Sequence, residues 1–183
     1  MKPTIFLPAL FLIVLGLSSC SPKLTPFTQR LQNEQQWGER DLRKIQFYLS
    51  DNIVLRRKAT AGDSKIESGE IKIVNGERVE EIVIPKGTPG VFLFHPNDKK
   101  NRFAVSFESG SDGRYLMFGP NPRSGNRYVL LASEWKRRGG EVTYDGRRYF
   151  TPSSSAYAAL MVDLKRTKKV SVRSRKAKGR TIK

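Results

Sequence analysis

The chain of 183 residues has one cysteine, one histidine and no apolar run as long as a bilayer-crossing helix, which needs about 20 residues. A single cysteine rules out an internal disulfide. One cysteine and one histidine together fall short of the about four such ligands a structural zinc takes. There is no glycine-rich phosphate loop, no Gly-x-Ser-x-Gly elbow, no His-Glu-x-x-His helix and no internal repeat. Acids are also scarce. Seventeen stand against 34 bases, a formal charge of +17, and none follows Asp163.

What is present has the texture of a folded domain. Hydrophobic residues make up 38% and charged ones 28%, outside the range of a disordered chain. The charge is concentrated at the end. Ten bases follow Asp163: Lys165, Arg166, Lys168, Lys169, Arg173, Arg175, Lys176, Lys178, Arg180 and Lys183. They leave only +7 for everything before them, so a basic tail follows a mildly basic body.

The N-terminus opens with Met1-Lys2 and a thirteen-residue apolar stretch, Ile5 to Leu17, broken by Pro8 and Gly16. That is the length of a secretory signal segment and too short for a span. Leu17-Ser18-Ser19-Cys20 then resembles the lipobox of bacterial lipoprotein precursors, an aliphatic residue and two small ones before cysteine. The body resembles small envelope lipoproteins of the Bacteroidota type. The resemblance implies a signal peptide over 1–19 cut between Ser19 and Cys20, a diacylglyceryl group on the Cys20 thiol, and acylation of the new amine. It leaves no free thiol. Ser21 stands where an aspartate would imply retention at the inner membrane, and no acidic run follows Cys20, so the resemblance implies the periplasmic leaflet of the outer membrane. One acyl chain binds membranes only marginally, at about 0.8 kcal/mol per buried methylene, and two or three hold firmly.

Of the 183 residues, 164 remain once 1–19 are removed, enough for one domain with its own core. Residues 20–25 read as a lipidated tether. Thr25-Pro26 reads as a helix start, and Phe27, Leu31, Gly38, Leu42, Ile45 and Leu49 recur at helical spacing, so a helix is expected over 26–44, with Gly38 allowing a break near Trp37. From 45 to 164 the texture is β. Asn75-Gly76 and Asp145-Gly146 mark hairpins. A two-residue turn at the second pairs Tyr144 with Arg147 and Val142 with Tyr149. At the first it opposes Ile73 with Arg78, an awkward match. Phe103, Val105 and Phe107 alternate with Ala104, Ser106 and Glu108, as in a half-buried strand. Val91–Phe94, Tyr115–Phe118 and Tyr128–Leu131 are continuous apolar runs expected to be covered on both faces, and Ala158–Leu164 is expected to be a last strand. The sum is a mainly β fold, an antiparallel barrel or sandwich with an N-terminal helix and a basic tail over 165–183.

No residue set declares a catalytic site. His95 has no adjacent nucleophile or carboxylate motif and reads as the surface end of a strand. Asn97-Asp98 and Ser111-Asp112-Gly113 are turn chemistry before they are cation ligands. Glu80, Glu81, Glu108, Asp112, Glu134 and Asp145 are available for a glycan hydrolase, which needs two carboxylates about 5–9.5 Å apart. Glu80 and Glu81 are adjacent in a strand and point to opposite faces, so they cannot act as that pair. Aromatics and bases interleave around Tyr144, Arg147 and Tyr149; alternation favours aromatics facing the core and bases facing water, and these three residues are the candidate ligand face if it does not hold. Arg173, Arg175, Lys176, Lys178 and Arg180 in the tail suit an anionic lipid or glycan surface, where each base contributes about 1 kcal/mol. No cofactor or metal is expected. The expected partners are the membrane through Cys20, an anionic envelope lipid or glycan, or an envelope protein, and not nucleic acid. A carboxylate hydrolase and an accessory subunit of an outer-membrane complex stay open as alternatives.

Overall fold

Two hairpins with unlike turns frame the smaller of two antiparallel sheets in the computed structural model, which describes residues 23–59, 70–74, 76–96, 99, 101–110 and 113–168. Twelve strands run in chain order: β1 (Leu24–Pro26), β2 (Gln46–Leu49), β3 (Ile53–Lys58), β4 (Glu70–Val74), β5 (Glu77–Ile84), β6 (Pro89–Phe94), β7 (Phe103–Ser106), β8 (Leu116–Asn121), β9 (Arg127–Leu130), β10 (Gly139–Tyr144), β11 (Arg147–Pro152) and β12 (Leu160–Asp163). Short helices α1 (Gln29–Glu34) and α2 (Glu39–Leu42) follow β1, and α3 (Leu164–Lys168) follows β12. The larger sheet has the order β1-β12-β2-β6-β7-β8-β9, the smaller β10-β11-β3-β5-β4.

The β10–β11 hairpin follows its turn chemistry. Asp145 and Gly146 both adopt positive φ, 49° and 70°, the backbone of a type I′ turn. Tyr144 therefore faces Arg147 and Val142 faces Tyr149. In the β4–β5 hairpin the awkward match is the real one: Ile73 opposes Arg78 and Val74 opposes Glu77. Ile73 is consequently 77% exposed, at the far end of the sheet from the core.

The inner faces of both sheets close over one core, which makes the architecture sandwich-like. Phe27, Phe47, Phe103, Tyr128, Leu55, Ile82, Leu116 and Tyr144 are among its members, each nearly or fully buried. Among the described residues the ends of the larger sheet meet at two isolated bridges, Thr28 to Arg127 and Val129 to Ala159, and the backbone hydrogen bonds around them, without a continuous ladder. A ladder would be needed to close the sheet, and a barrel is not formed.

Several local expectations are corrected. The helix over 26–44 is two short helices, because Thr25 and Pro26 pair in β1 and Thr28 is the cap, its Oγ1 accepting from the Leu31 N–H at 3.1 Å. Gln36, at φ 53°, then turns the chain out of helical geometry before Gly38. The tether over 20–25 also shortens, since Leu24 and Thr25 already pair with Asp163 and Val162. Phe103–Ser106 is buried on both faces rather than one, while Val91 and Phe94 in β6 are 46% and 37% exposed. Ala104 and Ser106 are small enough for neighbours to cover, as Phe94 does by lying opposite Ala104. The last strand is β12, within the expected 158–164.

Phe27 locks the N-terminal segment down. Its ring lies 4.9 Å from Tyr128, 5.2 Å from Phe47 and 5.4 Å from Phe103. Its N–H donates to Leu160 O at 2.8 Å and its carbonyl accepts from the Tyr128 N–H at 3.1 Å.

Candidate functional site

The outer face of the smaller sheet follows from strand alternation. Glu141 opposes Phe150, Phe150 opposes Arg56, and Arg56 opposes Glu81. Paired residues share a face, and so do residues two apart along a strand, which places Arg148, Lys58 and Val79 beside them. The inner face takes Val142, Tyr144, Tyr149 and Leu55, all buried. The candidate ligand face of Tyr144, Arg147 and Tyr149 is therefore corrected: both tyrosines belong to the core, and Arg147 alone is exposed. Burial raises the Tyr144 phenol well above its ordinary value, with Glu108 Oε2 accepting its hydroxyl proton at 2.9 Å. Phe150, 42% exposed, is the aromatic of the β10–β11 hairpin that meets solvent.

A cleft of about 330 Å³ lies over this face, walled by Arg56, Lys58, Arg148, Glu141 and Phe150 with Val79 in its lining. A second, of about 260 Å³, shares Glu141 and Phe150 and adds Glu134, Lys136, Arg137 and Arg138. A third, of about 460 Å³, shares Lys136 and holds Trp135, Tyr157, Arg123 and Leu131. The arginines of the second sit on a two-residue turn closed by Lys136 N–H to Gly139 O at 2.7 Å and Gly139 N–H to Lys136 O at 3.1 Å. Only glycine fits there. Gly139 has φ +154°, and a Cβ on it would stand 2.1 Å from Thr151 O. The Trp135 ring in turn lies against Gly140.

Some of these bases are already matched by acids. Arg56 Nε and Lys72 Nζ hold the Glu81 carboxylate at 2.7 and 2.6 Å. Those two bonds, Lys72 first, keep its carboxyl below the usual carboxylate range although burial works the other way. Lys58 pairs with Glu77 at 2.8 Å and Lys136 with Glu134 at 3.1 Å. Arg137, Arg138 and Arg148 are exposed and have no ion pair among the described residues.

Glu80 lies on the opposite face from Glu81, as its position predicts, but it too is buried. Its Oε2 is paired with Arg57 Nε, and its Oε1 accepts from the Tyr149 hydroxyl at 3.2 Å. The Arg57 guanidinium stands 5.9 Å from the Tyr149 ring centroid. This cluster escaped the sequence reading because the arginines arrive from β3, more than twenty positions away.

The remaining candidates are placed as follows. His95 ends β6, its Nδ1 3.0 Å from Arg102 O and its ring 4.9 Å from Phe92 and 5.3 Å from Phe103. Glu108 and Asp145 converge on Arg114, at 3.9 and 3.2 Å, which ties two acids to one cation. Glu134 and Glu141 both line the second cleft. Asn97, Asp98 and Asp112 lie outside the described residues, as do Ser19, Cys20 and the tail bases Arg173, Arg175, Lys176, Lys178 and Arg180. Among the described residues no group of three or more His, Cys, Asp or Glu is placed to hold a metal, and no helix is long and apolar enough to cross a membrane. Exposed apolar residues are distributed over several elements, Ile71 and Ile73 on β4, Val83 on β5 and Val91 on β6. No family model, no curated protein and no solved structure matches the chain.

Proposed function

We propose that this chain is a non-enzymatic lipoprotein of the bacterial envelope, anchored through acylated Cys20, whose basic C-terminal segment contacts an anionic membrane surface. The lipobox over Leu17 to Cys20 supports the anchor. One structural observation carries the rest: Leu24 pairs with Asp163 in antiparallel register. The chain thus enters the fold beside the point where it leaves, with cross-strand Cα atoms about 4.5–5.5 Å apart. Four Cα steps separate Cys20 from Leu24, a reach of at most about 14 Å. The ten terminal bases begin two residues beyond Asp163. Anchor and bases therefore issue from one edge of the larger sheet, and lipid with a polybasic segment is the two-signal combination that makes membrane attachment stable. By the same resemblance, the membrane is the outer one and the domain faces the periplasm.

The test removes the lipid so that charge alone is read. Full-chain Cys20→Ser protein is compared with a version ending at Lys168, which keeps α3 and lacks seven of the ten bases, in sedimentation with vesicles containing phosphatidylglycerol. The account expects the full chain to bind at least tenfold tighter, with a steeper salt dependence. Equal binding removes the tail from the account. The carboxylate-hydrolase alternative has one observation in its favour, the shared cleft of Glu134 and Glu141. Both are open to solvent, without the apolar burial that sets up a general acid. Release of reducing ends from an acidic glycan would favour it.

A further inference from the structure

We propose that the three joined clefts form one groove that binds a linear glycan carrying acidic groups, at a site separate from the membrane-contacting tail. The choice of a glycan rests on the envelope reading above; the groove itself does not.

The groove starts on the outer face of the smaller sheet and runs past β10, its parts linked through Phe150 and Glu141 and then through Lys136. Its third part reaches β8 and β9 of the larger sheet, but no residue of β1 or β12, the strands at the membrane-side edge, lines any of the three clefts. Three aromatics are spaced along the groove, Phe150, Trp135 and Tyr157, exposed by 42%, 37% and 65%. Exposed rings in a concave, cation-rimmed surface are stacking platforms for flat-faced ligands. Among the described residues Arg148, Arg137 and Arg138 have no acid paired with them, and a guanidinium matches a carboxylate or phosphate in a two-point fork. The turn holding two of them is fixed by its hydrogen bonds and by Gly139, so little ordering is lost on binding.

Two acids in the lining decide the class of polymer. Ionised Glu134 and Glu141 accept hydrogen bonds and donate none. Sugar chains present hydroxyl donors at every residue and bear acidic groups at intervals, so acceptors and cations both find partners. A DNA strand offers a phosphate at every step and no free sugar hydroxyl between them, so both glutamates would meet like charge with no backbone donor to offset it.

Titration of the full chain in detergent tests this, with tryptophan fluorescence as the readout, Trp135 lying in the groove and Trp37 outside it, and tetragalacturonic acid, neutral cellotetraose and a dodecamer of thymidylate as probes. Tetragalacturonate is expected to bind at least tenfold tighter than either other probe. R137Q/R138Q/R148Q should weaken it at least tenfold. Phe150→Ala should weaken it severalfold and Phe150→Tyr restore it. All of these positions are exposed, so an unchanged urea midpoint shows that folding is intact. Vesicle binding should not change in any of them, which separates failure of the groove from failure of the tail. No binding of tetragalacturonate, equal affinity for cellotetraose, or wild-type affinity in the triple variant overturns the proposal. Tighter binding of thymidylate overturns it in favour of a nucleic-acid groove.

Discussion

Replacing Glu80 with alanine should cost this fold several kcal/mol, and replacing Glu80 and Arg57 together should cost much less. The Glu80 side chain is 3% exposed and that of Arg57 17%. Their ion pair and the Tyr149 hydroxyl bond lie against the core side of β5, β3 and β11. Removing the carboxylate leaves the guanidinium largely desolvated and the phenol without its acceptor. Breaking a buried pair in this way costs about 3–5 kcal/mol. With about 2–4 °C of melting temperature per kcal/mol for a chain of this size, the single variant should melt about 6–20 °C lower. An Arg57→Met, Glu80→Met pair removes both charges while filling the space, a change that is often neutral or stabilising. Urea unfolding of the wild type, Arg57→Met, Glu80→Met and the double Met variant forms a thermodynamic cycle. A coupling energy of about 2 kcal/mol or more is expected. If Glu80→Ala loses less than about 1 kcal/mol, or the double variant loses as much as the two singles combined, the buried-pair reasoning is wrong.

Acid should weaken the fold through Glu81. Its carboxyl is held below the usual range by Lys72 and Arg56, so its stabilisation is present above the unfolded value near 4.5 and disappears as pH falls below it. Glu81→Gln should flatten that part of a stability-against-pH curve measured by urea unfolding; an unchanged slope would assign the acid sensitivity elsewhere. Phe27→Ala should cost about 3–5 kcal/mol, because a fully buried ring held by four aromatic neighbours is lost, and should raise amide exchange at Tyr128, which donates to the Phe27 carbonyl. Gly139→Ala should cost at least about 1–3 kcal/mol and lower affinity at the Arg137-Arg138 turn, since its Cβ meets Thr151 O; wild-type stability would show that the turn can relax.

Turn chemistry and alternation made the β10–β11 hairpin readable residue by residue, because Asp145-Gly146 admits one short turn and the register follows from it. The same rule put Glu80 and Glu81 on opposite faces. It failed to say which face was inside. Tyr149 and Phe150 are adjacent and both aromatic, so alternation buries one without naming which; the reading of the aromatics as core-facing holds for Tyr144 and Tyr149 and fails for Phe150. Burial of both glutamates was invisible for a related reason: each is matched by a base on another strand, and that pairing exists only after β3 and β5 align. The helix over 26–44 breaks close to where Gly38 allows it, but periodicity does not register the residue that turns the chain, Gln36 at positive φ. Of the groove, the basic and aromatic composition was legible. Its site was not, since it depends on Glu134–Arg138 folding back against Phe150 through Gly139.

Mass spectrometry of the chain extracted from the membranes of a lipoprotein-processing bacterium tests the central claim most directly. The account predicts a product that starts at Cys20, carries a diacylglyceryl group on its sulfur, and is lost from the membrane fraction when Cys20 is replaced with serine. A membrane-bound product that retains Met1, or one with an unmodified Cys20, would contradict it.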